Sequence, residues 1–202
     1  MSLLDTASIF KYHNNLTRQF EKGDVRRLGW INTETQQLRF STLSKIADFD
    51  NCSVLDAGCG YADLCGYLKN IYPTCRYYGI EQIPDFILKA LNDYGNMPDV
   101  VFFQGDIETA SLPILDYTLA SGLMNYKNSN PLYIFEMIQK LFVGCRLGLA
   151  FNLLSKEPEN NSLVNSYDKN MIFSFCKTLS PHCVLHDDYL ENDYTIFMYH
   201  RP

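Results

Sequence analysis

The sequence predicts an α/β fold: a seven-stranded sheet, mainly parallel, with an antiparallel C-terminal hairpin and an N-terminal helical segment in front of it. Three observations predict it. Apolar residues recur at three and four through the front of the chain, the period of amphipathic helices. After that, short apolar runs alternate with helical stretches, the β-α-β-α order that builds a parallel sheet. The last two apolar runs lie close enough for a hairpin, so one of them must run antiparallel.

In chain order, Ser8 to Phe20 and Thr33 to Ala47 read as helices, the second through Leu38, Leu43, Ile46 and Ala47. Between them EKGDVRRLGW carries two glycines that break the helix. Five strands follow: CSVLDA, CRYYGIE, VVFFQGD, YTLASG and RLGLAFNLL. They are apolar nearly throughout, as suits strands covered on both faces. Leu64 to Ile71, Pro84 to Tyr94 and Pro131 to Phe142 are helical connections. CVLHDDYL and DYTIFMYH form the closing hairpin. The expected organisation is one structural domain overall, with residues 1–48 as an N-terminal helical lid segment and residues 49–202 as the sheet domain.

At 202 residues the chain is long enough to bury one full core, and 47% apolar with 20% charged residues is the composition of an ordinary globular domain. The net charge of -6 and a single basic cluster, Arg26-Arg27, argue against a nucleic acid partner. The first ten residues carry an acid where a secretory signal would carry a base, and no apolar run reaches the roughly 18 residues that span a bilayer. A cytoplasmic protein without membrane contact is expected. Seven cysteines without a C-x-x-C pair fit neither a disulfide framework nor a zinc knuckle, so they are expected as reduced, mostly buried thiols. His13, His182, His186 and His200 do not make a metal site; on a strand, His182 and His186 stand roughly 13 Å apart. No metal is expected.

Ligands of such a sheet bind beyond the carboxyl ends of its strands. The first strand ends in Asp56-Ala57-Gly58-Cys59-Gly60 followed by Asp63. Glycines there let a ligand approach the backbone, and the N–H groups opening the next helix face it. A pyrophosphate would meet repulsion from Asp63 at the helix mouth, which argues against a dinucleotide. The second strand ends in Glu81-Gln82, at the distance where an acid accepts hydrogen bonds from both ribose hydroxyls of a nucleotide. The third ends in Gly105-Asp106-Ile107, where the acid can accept from an adenine amino group while Ile107 packs on the ring. Three acid-ended strands without a lysine or arginine describe a nucleoside bearing positive charge.

These residues, in this order and spacing, resemble the first three motifs of class I S-adenosylmethionine-dependent methyltransferases, most strongly over residues 54–125. Ala62 stands where many members have a third glycine. The chain also resembles a group of small bacterial enzymes of that superfamily. The matching segments are Gly29-Trp30, Gln36 with Arg39-Phe40, Ala120-Ser121-Gly122 with Asn125, Ala150-Phe151-Asn152 with Leu154-Ser155, Phe175-Cys176-Lys177, and Asp188-Tyr189 with Asp193-Tyr194-Thr195. Members of that group carry Arg-His before Asp188, where this chain has His186-Asp187. The resemblance implies a Rossmann-like sheet, S-adenosylmethionine as cofactor, and methyl transfer to a small acceptor: a metabolite, a sugar or a small protein target.

Asp56, Ala57, Gly58, Gly60, Glu81, Gln82, Asp106, Ile107, Ser121 and Gly122 are then the expected cofactor residues. Arg39 is expected to pair with the cofactor carboxylate, because a guanidinium fork matches a carboxylate, and Trp30 to cover the cofactor. Asn125, Asn152 and Tyr189 are the substrate-side candidates. No residue is assigned as a general base. Two rival readings remain: a non-catalytic module that binds the cofactor and acts through a protein partner, and a nicotinamide-dependent oxidoreductase, against which Asp63 counts.

Overall fold

The computed structural model describes residues 2–158 and 163–202. Helix α1 (Leu3–Gln19) is started by a capping box in which Ser2 and Asp5 satisfy each other's backbone N–H groups. The helix begins before the expected Ser8 because this cap sits outside the apolar pattern. A 3₁₀ turn over Val25–Leu28 ends at Gly29, in the left-handed region at φ 87°. Asn32 then caps α2 (Thr33–Leu43) by accepting from the Thr35 N–H.

The sheet strands are β1 (Ser53–Ala57), β2 (Arg76–Glu81), β3 (Val100–Gln104), β4 (Leu115–Ala120), β5 (Cys145–Leu154), β6 (His182–His186) and β7 (Asp193–Tyr199). Their spatial order is β3-β2-β1-β4-β5-β7-β6, parallel from β3 to β5, with β7 antiparallel to both of its neighbours. Connecting helices are α3 (Asp63–Ile71), α4 (Pro84–Tyr94), α5 (Tyr133–Val143) and α6 (Lys169–Leu179). Helix α6 is capped by Asp168, which accepts from the Met171 N–H, and it buries Ile172 and Cys176 four residues apart.

Side chains of the central strands alternate between two cores. Leu149, Phe151 and Leu153 of β5 join Met137, Ile138 and Ile172 on one face. Ala150 and Phe197 join Phe40, Leu43, Phe49 and Leu68 on the other. This two-sided burial is why the strands read as continuous apolar runs. Strand β3 departs from that expectation: it is an edge strand, and Val101 and Phe103 are 40% and 43% exposed. Strand β6 also ends earlier than the sequence suggests. Asp187 pairs with Lys169, and the Tyr189 hydroxyl turns inward to Asp193 and Thr195, so the chain folds back after His186.

All seven cysteines are free. Among the described residues no helix is long and apolar enough to cross a membrane, and no group of three or more His, Cys, Asp or Glu is placed to hold a metal ion.

Candidate active site

Chain connectivity leaves β1 toward β2 on one side and places β4 on the other, so a crevice opens beyond the carboxyl ends of β1 and β4. It holds a cavity of about 200 Å³. The floor comes from the turns after β1, β2 and β4. The front segment supplies the roof through Ile9, His13, Leu28 and Trp30; the end of β5 supplies Leu154, and the chain beyond it Pro158 and Val164.

The turn after β1 hangs on β2: the Gly58 and Cys59 N–H groups both donate to the Ile80 carbonyl, at 2.9 and 3.0 Å. Gly58 holds φ 74°, the left-handed region that favours glycine, and its Cα packs against Leu123. Ala62 also takes a left-handed conformation, at φ 62° and ψ 32°, just before α3. The alanine that replaces a glycine in the motif therefore carries backbone strain.

Glu81 is buried with both oxygens engaged: Oε2 accepts from the Gly60 N–H at 3.0 Å, and Oε1 from the Ile83 N–H at 2.8 Å. A carboxylate has about four acceptor sites, so capacity remains for two hydroxyls. Asp56 accepts from the buried Tyr77 hydroxyl at 2.5 Å. Asp63 accepts from Gln36 Nε2 at 2.9 Å, tying α3 to α2. Burial pushes all three carboxyls above their usual range, Asp56 to about 7, with further repulsion from Glu81 and Asp63 acting on Asp56. Among the described residues the ionisable groups on the cavity wall are four carboxyls, Asp56, Asp63, Glu81 and Asp193, against one guanidinium, Arg39.

The raised Asp56 carboxyl has a consequence for stability. Its folded pKa lies above the unfolded value, so the native state binds the extra proton between the two, and Asp56 costs progressively more stability as pH rises from 3.8 toward 7. Asp56→Asn keeps an oxygen for Tyr77 and cannot ionise. Urea unfolding between about pH 5 and 8 should therefore show a flatter pH profile for Asp56→Asn than for wild type. Parallel profiles would mean that Asp56 does not titrate in this window.

Arg39 lies on the wall, but its partner differs from the one the sequence suggests. Its Nε donates to Asp193 Oδ2 at 2.7 Å, its Nη2 stands 2.5 Å from the same oxygen, and Nη1 donates to the Thr35 carbonyl. The guanidinium expected for a ligand carboxylate is therefore engaged within the chain. It also lies 5.0 Å over the Trp30 ring. Trp30 in turn rests on Gly122, which has φ 71° and where a Cβ would come within 2.9 Å of the indole.

Asn152 belongs to the same network. Its Oδ1 accepts from the Gly122 N–H at 3.0 Å, while Nδ2 stands 3.5 Å from Asp193. Asn152 positions the turn after β4, and these bonds occupy the side chain that the sequence offers to substrate. Asn125 lines the cavity and donates through Nδ2 to the Asn165 carbonyl at 2.9 Å. The Asn165 N–H donates back to Asn125, and Tyr126 bridges to Val164. These bonds hold Val164 on the cavity wall.

Gly58, Gly60, Glu81, Gln82, Ile107, Ser121 and Gly122 line the cavity together with Asp56, Trp30 and Arg39. Three expected residues do not. Ala57 is fully buried in the core. The Asp106 carboxylate accepts from the Glu108 N–H and closes its own turn, while Gly105 and Ile107 reach the wall. Tyr189 stands behind the wall and bonds Asp193 and Thr195. His13 was missed by sequence reasoning: it is 4% exposed, lines the cavity and bonds Tyr126. Its spacing of four from Ile9 puts both on the buried face of α1, the one signal the sequence held.

No family model matches the sequence, and no curated protein matches it by sequence. Solved structures do match it in shape. The chain superposes on magnesium protoporphyrin IX methyltransferase from Synechocystis PCC 6803 with bound SAH at a TM-score of 0.72 and 13% identity, over 96% of this chain and 99% of that one. The pyocyanin biosynthetic protein PhzM matches at 0.70 and 12% identity, over 93% of this chain and 61% of that one. Human N-acetylserotonin methyltransferase in complex with SAM matches at 0.69 and 12%, over 96% and 58%. The chain spans about three fifths of the length of these last two proteins. The fold is that of class I S-adenosylmethionine-dependent methyltransferases.

Proposed function

We propose that this protein transfers a methyl group from S-adenosylmethionine to a small acceptor in the cytoplasm. The observation that carries the reading is the charge of the cavity wall: among the described residues Asp193 already pairs the one guanidinium, and three further acids, Asp56, Asp63 and Glu81, have no cation opposite them on the wall. Such a wall attracts a cation and repels a pyrophosphate. Two further features fit the cofactor. Glu81 keeps acceptor capacity for a ribose diol, and Ser121 Oγ is buried without a hydrogen-bond partner among the described residues. The likeness in fold to named methyltransferases supports the same reading.

In this reading Glu81 and the turns at Gly58 and Ser121 would hold the cofactor. The bound cofactor would supply a methyl activated by its sulfonium. The chain's own work is then alignment and exclusion of water. Trp30 covers the turn at Gly122, Asn152 fixes that turn from below, and Val164 closes the acceptor side.

Thermal shift tests this directly. A ligand that binds only the native state adds about 2.7 kcal/mol at a hundredfold excess over its dissociation constant. For a chain of this size that is a rise of roughly 5 to 10 °C. S-adenosylmethionine and S-adenosylhomocysteine should each produce it, with a change in the fluorescence of Trp30, the single tryptophan. A shift with NAD and none with either sulfur nucleoside would overturn the reading.

A further inference from the structure

The cavity holds a pair of side chains outside the residues proposed to hold the cofactor. His13, from α1, is packed edge-on against Tyr12, Phe86 and Tyr126, with ring centroids 5.0, 5.1 and 5.8 Å away. Its Nδ1 lies 3.0 Å from the Arg27 carbonyl oxygen, which can only accept. Nδ1 therefore carries the proton, and Nε2 presents a lone pair. The Tyr126 hydroxyl lies 2.7 Å from Nε2 and must donate to it. Both residues line the cavity, one from the roof and one from the turn after β4.

We propose that Tyr126 and His13 form a proton relay at the acceptor side of the cavity, and that the acceptor is an uncharged molecule presenting a hydroxyl. The proposal rests on the methyl-transfer reading and adds the chemistry of the acceptor. A neutral hydroxyl is a poor nucleophile until its proton has somewhere to go. Here the acceptor proton passes to Tyr126 Oη as Tyr126 passes its own to His13 Nε2. The acceptor oxygen forms its bond to the methyl carbon, the electron pair of the broken carbon–sulfur bond stays on sulfur, and the released proton ends on His13. The imidazolium then donates through both nitrogens.

The surroundings suit this role. Burial holds the His13 pKa below its usual 6.5, which keeps the ring neutral and able to accept. Burial also raises the Tyr126 phenol, helped by Tyr12, Glu81 and Tyr133, so Tyr126 cannot serve as an anionic base and depends on His13. The packed elements add little charge: Arg27 directs its guanidinium to the Thr17 carbonyl, and α4 presents Phe86. The lining here is apolar, through Ile9, Phe86, Leu123, Leu154 and Val164. Among the described residues an anionic acceptor would find no free cation on the wall, because Arg39 is held by Asp193.

The test uses the full chain labelled with ¹⁵N-histidine and saturated with S-adenosylhomocysteine, with phenol, catechol and benzyl alcohol as neutral hydroxyl probes and benzoate as the charged control. Expected are an unprotonated Nε2 on neutral His13 and a shift of its resonance with at least one hydroxyl probe, absent with benzoate and lost in Tyr126→Phe. The variant should also raise the His13 pKa, since the neutral ring loses a donor. Labelled-methyl transfer to the responding probe should fall about 100-fold or more in Tyr126→Phe and in His13→Gln, with affinity for S-adenosylhomocysteine unchanged in Tyr126→Phe. A protonated Nε2, no response to any hydroxyl, or full transfer by Tyr126→Phe overturns the relay. Failure of S-adenosylhomocysteine to bind overturns the methyl-transfer reading instead, and the tautomer of His13 still decides the pair.

Discussion

Asp193→Ala should lower the melting temperature by roughly 6 to 20 °C, the largest stability loss expected from a single substitution at this site. Asp193 and Arg39 are both nearly excluded from water, with side chains 1% and 10% exposed. Removing one partner leaves the other charge buried and uncompensated, at a cost of about 3 to 5 kcal/mol. The loss should spread because Asp193 also accepts from Tyr189 and faces Asn152, which holds the Gly122 N–H. Arg39→Met with Asp193→Leu removes both charges at similar volume and should recover most of the stability, since a buried pair is often no better than an apolar replacement. Thermal denaturation of the two variants decides. Equal melting temperatures for Asp193→Ala and wild type would mean that the pair is solvated and does not hold α2 to β7.

That pair marks where the sequence stops being legible. The strand ends could be read because each is a local event: an apolar run stops, an acid or glycine follows, and the parallel order places all such ends on one rim. Asp56, Glu81 and Gly122 reach the cavity for that reason. Arg39 and Asp193 are separated by 154 residues. Their meeting depends on β7 inserting between β5 and β6, and nothing in either segment states that order. The sequence offered Arg39 to a ligand because its partner within the chain, Asp193, was out of view.

Asp106 illustrates a local competition. A strand-end acid in the right register still has a local competitor, the backbone N–H two residues on, and the Asx-type turn at Glu108 draws Asp106 Oδ1 away from the wall. Glu81 faces the same competition from Ile83, yet the Gly60 N–H pulls its second oxygen across to the turn after β1, which keeps the carboxylate at the cavity. His13 and Tyr126 escaped notice because a histidine four residues from an apolar neighbour reads as core packing. Only the approach of the turn after β4, far along the chain, gives it a partner.

Glu81→Ala should weaken S-adenosylhomocysteine binding by on the order of 10 to 150-fold, the equivalent of about 1.5 to 3 kcal/mol for hydrogen bonds to a charged acceptor. The structure complicates the simple test, because Glu81 also anchors Gly60 and Ile83, and alanine frees both N–H groups. A loss of affinity could then come from a loosened turn. Comparing ligands separates the two causes. If Glu81 bonds the ribose diol, the variant should lose affinity for S-adenosylhomocysteine and far less for its 2′,3′-dideoxy analogue, which offers nothing to the carboxylate. A turn that merely loosened would weaken both ligands alike, and calorimetry on the two would show parallel losses. In that case Glu81 is a brace between β1 and β2, and recognition of the sugar must come from elsewhere on the wall.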